Sequence, residues 1–225
     1  MKILALETAT DPGSVTLWLD GQVLARTCPP ELSNSAALLP TASAVLNEAG
    51  LTYADLDGVA FGMGPGSFTG LRVACGVAQG LAVGRDLPLL GIGTLEAMAL
   101  AAGGGRVIVT LDARMGEVYY GMFVDGVQQG DIGVAPPQNL PLPETAGWLA
   151  CGNGLAAYPV LRERLESVVT RWRPDILPDA EFVVRLAAPR MARGECVDPA
   201  DAAPLYVRDK VAKTVAERLA EGGRA

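Results

Sequence analysis

Short apolar runs alternate along the chain with stretches that are apolar on one side only. Ile3-Leu4-Ala5-Leu6 reads as a buried strand ending at Glu7-Thr8-Ala9-Thr10. After the turn Asp11-Pro12-Gly13, residues Ser14–Leu19 alternate as a second strand. Asp20-Gly21 is a two-residue hairpin signal, and Gln22–Thr27 forms the third strand. Ser33–Ala49 repeats at helical spacing with Leu38, Leu39, Ala42, Val45, Leu46 and Ala49 on one side, and Pro40 is expected to kink or restart it. Leu56–Phe61 predicts another buried strand. A loop rich in glycine follows, and then a helix over Leu71–Val83 with Leu71, Ala74, Val77, Ala78 and Leu81 on its apolar face. Leu89–Ile92 is a strand and Thr94–Ala102 a helix capped by Thr94.

Gly103-Gly104-Gly105 is the clearest hinge signal and places a boundary between residues 1–104 and 105–216. The second half opens like the first: strand Val107–Leu111, turn Asp112–Glu117, alternating strand Val118–Val124, hairpin signal Asp125-Gly126. Residues 130–145, with four prolines, read as a loop. Trp148–Cys151 is a strand, Gly152-Asn153-Gly154 a turn, Leu155–Leu165 a helix interrupted near Pro159, and Ala180–Arg193 an amphipathic helix. Pro204–Arg208 is extended, and residues 217–225 form a polar tail expected to fray. The expected class is α/β with a duplicated plan.

The helix Leu71–Val83 contains Gly76 and Gly80, four apart, each costing about 1 kcal/mol relative to alanine. Close packing within the molecule explains them; so does a helix-on-helix contact with a partner. The loop before it, Gly64-Pro65-Gly66-Ser67-Phe68-Thr69-Gly70, offers Ser67 and Thr69 as helix caps. It does not match the common phosphate or nucleophile loops. No lysine lies between Lys2 and Lys210, as a P-loop would need; the Gly-x-Gly-x-x-Gly spacing fails at Thr69; and Ser67 lacks glycines two residues to either side.

Composition narrows the chemistry. The 225 residues contain no histidine, which removes Ser-His and Cys-His nucleophile pairs and every histidine-based metal site. Cys28, Cys75, Cys151 and Cys196 form no Cys-x-x-Cys pair and fit reduced thiols in a cytoplasmic protein. No charge-free run is long enough to cross a bilayer, and the opening residues show no basic-then-apolar signal region. The net charge of −7 suits direct RNA binding poorly, because RNA affinity rests on clustered lysine and arginine. Residues 1–105 carry only 4 basic and 9 acidic residues, the charge-poor character of a docking half or of a well-buried one.

The segment GPGSFTGLRVACGVAQGLA resembles the signature of the TsaB (YeaZ) family, a subunit of the bacterial machinery that makes threonylcarbamoyladenosine in transfer RNA. ILALETAT, LDARMGEVYYG, CGNG and PLYVRDKVA match the family in order and extend the resemblance over nearly the whole chain. The resemblance implies an actin-like/sugar-kinase-like (ASKHA) ATPase fold of two duplicated subdomains with mixed sheets flanked by helices. It also implies a subunit without catalysis of its own, docking onto the catalytic subunit TsaD and joined by the ATPase TsaE. ATP, magnesium and metal are then expected on the partners, none bound by this chain alone, with transfer RNA reached indirectly. Active superfamily members carry an aspartate where this chain has Glu7, and relatives often carry a histidine where it has Ser33-Asn34-Ser35.

The expected partner face combines Leu38, Leu39, Ala42, Val45 and Leu46 with Arg72, Cys75, Gly76, Gln79 and Gly80. Without a partner the same face would form a homodimer. Asp112, Arg114 and Glu117 form a candidate ligand site, or else an internally paired turn. Gly152-Asn153-Gly154 sits where active relatives hold adenosine, and a plain turn explains it equally well. The rival readings are a stand-alone ATPase or kinase and a glycoprotease-like peptidase, the latter opposed in its metal form by the missing histidines.

Overall fold

A computed structural model describes residues 1–208. Two five-stranded sheets repeat one topology. The first comprises β1 (Lys2–Glu7), β2 (Ser14–Leu19), β3 (Gln22–Thr27), β4 (Gly58–Gly64) and β5 (Leu89–Gly93), in the order β3-β2-β1-β4-β5. The second comprises β6 (Arg106–Arg114), β7 (Glu117–Val124), β8 (Val127–Ala135), β9 (Trp148–Cys151) and β10 (Val169–Arg173), in the order β10-β9-β6-β7-β8. Read from the other edge, this is the same arrangement. In each sheet an antiparallel meander of three strands carries two parallel strands on its far side. This duplicated mixed-sheet plan is the actin-like ATPase fold.

Helices α1 (Asn34–Glu48), α2 (Phe68–Arg85), α3 (Thr94–Ala101), α4 (Gly154–Ala157), α5 (Val160–Leu165) and α6 (Ala180–Ala192) complete the layers. Pro40 and Pro189 lie inside α1 and α6, each of which continues through its proline. α1 and α2 cover one face of the first sheet, burying Leu38, Val45, Ala74 and Ala78 against Leu4, Leu6, Val59 and Phe61. α5 covers the outer face of the second sheet with Leu161 and Leu165.

The two inner helices are exchanged. α3, from the first half of the chain, sets Leu95, Met98 and Ala99 against Val107, Val109 and Phe123 of the second sheet. α6, from the second half, sets Val183, Val184 and Ala187 against Ile3, Ala5 and Ala60 of the first. The two helices touch and are joined by the Arg190–Glu96 ion pair. Gly103–Gly105, all with positive φ, therefore divides the strands but not the helices. The assignment of residues 105–216 to the second subdomain is corrected for α6, which completes the first. The polar tail lies outside the described residues.

The stretch 130–145 is corrected in part: residues up to Ala135 belong to β8, an edge strand exposed along much of its length, so its sequence Val127-Gln-Gln-Gly-Asp131 shows no apolar face. β10 escapes the sequence for the same reason, as an edge strand with arginine at Arg171 and Arg173.

Candidate functional site

The glycine loop at the start of α2 is a packing device. Ser67 caps the helix, its Oγ accepting the Gly70 N–H at 3.3 Å, while its own N–H donates to the Ala9 carbonyl at 2.8 Å. A Cβ on Gly70 would stand 1.9 Å from the Thr8 carbonyl oxygen, and one on Gly66 would stand 2.5 Å from Ala9 Cβ. The Thr8 hydroxyl donates to the Gly70 carbonyl at 2.7 Å. Gly64, at φ 114°, has room for neither a side chain nor a normal L-residue backbone. Pro65 lies in this turn, whereas Thr69 sits in the first turn of α2 and does not cap it. The second half repeats the device: a Cβ on Gly152, at φ 102°, would lie 2.0 Å from the Thr110 carbonyl oxygen. In each half a glycine beyond the fourth strand lets the chain press onto a threonine carbonyl, that of Thr8 just past β1 and that of Thr110 within β6.

Glu7 lies beneath this junction, 1% exposed. Its carboxyl caps the turn that follows β1 instead of facing solvent. Its Oε1 accepts the Ala9 N–H at 2.7 Å and its Oε2 the Thr94 hydroxyl at 3.2 Å. Thr94 therefore does not cap α3, whose N-cap is Gly93; its hydroxyl instead also takes the Gly64 N–H at 3.2 Å. Gly62 is pressed against the carboxyl, with a Cβ there falling 2.0 Å from Oε2. Burial pushes the Glu7 carboxyl up to about 7, against the lowering effect of the Ala9, Thr94 and Thr8 hydrogen bonds.

Between the two halves opens a cleft of about 440 Å³, lined from one side by Thr10, Asp11 and Gly66–Thr69 and from the other by Asp112–Met115 and Asn153. Asp112 is held within its own turn: its Oδ1 accepts the Arg114 N–H at 2.8 Å and the Tyr158 hydroxyl at 2.8 Å, and its Oδ2 pairs with Arg114 at 3.2 Å. Asn153 Oδ1 accepts the Asp112 N–H at 2.9 Å. Burial, then the Asp112 hydrogen bond, raises the Tyr158 phenol above its ordinary value. Glu117 pairs instead with Arg208. Asp112 and Arg114 are thus brought together, Glu117 turns away to Arg208, and each is engaged internally. The sequence reading missed Tyr158 and Arg208; the match of the PLYVRDKVA segment was the available signal for Arg208. Arg114, Met115 and Gly116 all have positive φ, so this hairpin tip is strained at two non-glycine residues.

The four thiols are poor nucleophiles. Burial raises each above its ordinary value, Cys151 to about 12.

The expected partner face is corrected in half of its members. Leu38, Ala42, Val45 and Leu46 are fully or almost fully buried against the first sheet, and Cys75 is buried behind α2. Gln79 donates to the Pro199 and Ala202 carbonyls at 2.8 and 3.0 Å, fastening the 3-10 turn Pro199–Asp201 to α2. The apolar side of α1, expected to face a partner, is occupied by the chain's own sheet. Outward stand Ala36, Leu39 (45% exposed), Pro40 and Ala44 on α1, and Arg72, Gly76, Gly80, Val83 (70% exposed) and Gly84 on α2. Among the described residues a Cβ at Gly76, Gly80 or Gly84 would meet nothing within 4 Å, so no contact among them accounts for these glycines.

Comparison with known proteins decides the family. The tRNA threonylcarbamoyladenosine biosynthesis protein TsaB of Escherichia coli K12 is 38% identical over 94% of this chain and 96% of its own length. The protein of the same name from Haemophilus influenzae is 32% identical over 94% and 95%. The chain belongs to the TsaB family. YeaZ from Pseudomonas aeruginosa superposes with a TM-score of 0.82 at 36% identity, over 91% of this chain and 99% of that one. A family model described as TsaD, tRNA N6-adenosine threonylcarbamoyltransferase, matches residues 30–136, the stretch from before α1 to the start of the residues after β8. The family ties the chain to threonylcarbamoyladenosine biosynthesis. Among the described residues no helix is long and apolar enough to cross a membrane.

Proposed function

We propose that this chain is a non-catalytic docking and activating subunit of the complex that transfers threonylcarbamoyl to adenosine 37 of transfer RNA. It binds a TsaD-type catalytic subunit through the outward side of α1 and α2, and a TsaE-type ATPase joins the pair. ATP, magnesium and metal belong to those partners, transfer RNA is reached through them, and the complex works in the cytoplasm. In isolation the same side pairs with a second copy across a two-fold axis.

The observation that carries this reading is the open glycine stripe. Gly76 and Gly80 are destabilising in a helix interior, outward-facing and without a neighbour among the described residues, which fits a helix that another backbone approaches closely. The exposed Leu39 and Val83 flank that stripe with apolar surface. The internal pairing of Asp112, Arg114 and Glu117, the burial of Glu7 and the unactivated cysteines support a partner as the seat of the chemistry. The match of residues 30–136 to the TsaD model supports a partner built on the same plan.

The test is a pull-down with the TsaD-type subunit, with and without ATP. Gly76→Leu places its side chain in solvent and leaves the monomer folded, and is expected to abolish the complex. Undiminished capture of Gly76→Leu, or brisk magnesium-ATP turnover by the pure chain, overturns the reading.

A further inference from the structure

At the end of the α2 glycine stripe stands a guanidinium held in place by two rings. Arg72 Cζ lies 3.9 Å from the Phe68 ring centroid and 5.9 Å from that of Tyr206. Its Nε donates to the Tyr206 hydroxyl at 3.0 Å, and the two rings sit 5.6 Å apart. Tyr206 is itself fixed by the chain on either side: the Leu205 N–H donates to the Met63 carbonyl at 2.7 Å, and Arg208 pairs with Glu117. Phe68 and Tyr206 remain 40% and 45% exposed, so the stack opens to solvent.

What the stack lacks is an anion. The chain has 25 acidic residues against 18 basic ones, yet no carboxylate among the described residues pairs with Arg72. α2 itself contains no Asp or Glu from end to end. The stacked Nε is engaged, and the two terminal nitrogens, which form the fork that matches a carboxylate, make no hydrogen bond within the described residues. Arg72, Gly76 and Gly80 are spaced by four and share one side of the helix. An arginine so placed is pre-organised, because stacking has already removed the rotamer freedom that binding would otherwise take.

We propose that Arg72 receives a carboxylate from the protein that docks on α2, a bidentate pair at the edge of an otherwise apolar contact. This rests on the docking reading above and adds the partner's chemistry to it. A second copy fits this position less well: an antiparallel pairing of α2 centred on Gly76 sets Arg72 opposite Gly80, where no acid stands. The pair supplies orientation and specificity, since a partner lacking the carboxylate leaves a desolvated guanidinium unmatched.

The experiment measures the Kd of the full-length chain for the full-length TsaD-type subunit by titration calorimetry, with thermal melts confirming that each variant is folded. Arg72→Gln is expected to weaken binding about 30-fold or more, and Arg72→Lys to recover only part of that loss, because an ammonium neither forks nor stacks in the same way. Tyr206→Phe keeps the ring and removes the hydroxyl, and should weaken binding several-fold. Gly76→Leu run in parallel separates the two ideas. If Gly76→Leu abolishes binding while Arg72→Gln binds within two-fold of wild type, the carboxylate pairing is wrong and the face stands; if both bind normally, the face itself is wrong. If Arg72→Gln leaves the subunit affinity intact but lowers affinity for a transfer RNA probe, the guanidinium serves phosphate and the proposal falls.

Discussion

Replacing Glu7 by glutamine tests whether a buried acid at the junction of the two halves works against the fold at neutral pH. The carboxyl has hydrogen-bond donors from Ala9 and Thr94 but pairs with no cation among the described residues, and Asp179 adds a small repulsion. Its folded value of about 7 stands above the ordinary value of 4.5. A raised acid is most favourable to folding while it stays protonated. The folded state therefore loses stability relative to the unfolded chain as pH rises from about 4.5 through 7, and the loss levels off above that. At 1.36 kcal/mol per pH unit, the gap corresponds to about 3 kcal/mol by pH 8.

Glutamine reproduces the protonated acid. Its amide oxygen keeps the Ala9 N–H and its amide nitrogen reaches the Thr94 hydroxyl. Denaturant titrations at pH 5, 6, 7 and 8 should show Glu7→Gln close to wild type at pH 5 and about 3 kcal/mol more stable at pH 8, a rise of roughly 6–12 °C in Tm for a chain of this size. A variant that follows the wild-type pH profile in parallel, or that is less stable at pH 8, refutes the reasoning.

Two further substitutions probe the devices around the cleft. Gly70→Ala drives a Cβ to 1.9 Å from the Thr8 carbonyl, and because backbone must move, it should cost about 3 kcal/mol or more, read as a lowered denaturation midpoint with α2 displaced from β1. Met115→Asn places a residue that tolerates φ near 57° before Gly116, giving the Asn-Gly pair that two-residue hairpins favour, and should raise stability by about 1 kcal/mol in the same assay.

Most of the strand plan was legible because the buried strands announce themselves: Ile3–Leu6, Val107–Leu111 and Trp148–Cys151 are apolar runs bounded by turns, and the β2–β3 and β7–β8 hairpins carry Asp-Gly. β8 and β10 were not, since an exposed edge strand such as Val127–Ala135 has no burial to impose alternation. Periodicity showed that α1 has an apolar side but not what covers it. Leu38, Ala42, Val45 and Leu46 face the chain's own sheet, and the outward side is marked by Leu39 and the glycines of α2. Gly76 and Gly80 were legible as an anomaly in sequence, and no packing among the described residues explains it. The Phe68–Arg72–Tyr206 stack joins residues 134 apart, a proximity that no local pattern encodes.

The reciprocal placement of α3 and α6 bears on how the protein comes to exist. The N-terminal sheet is sealed on its inner side by residues 180–192, so a nascent chain paused at the triglycine still exposes Ile3, Ala5 and Ala60 to solvent. α1 and α2 pack with the other set of residues of that same sheet, so the layers of the first half are completed only by a segment made late in synthesis.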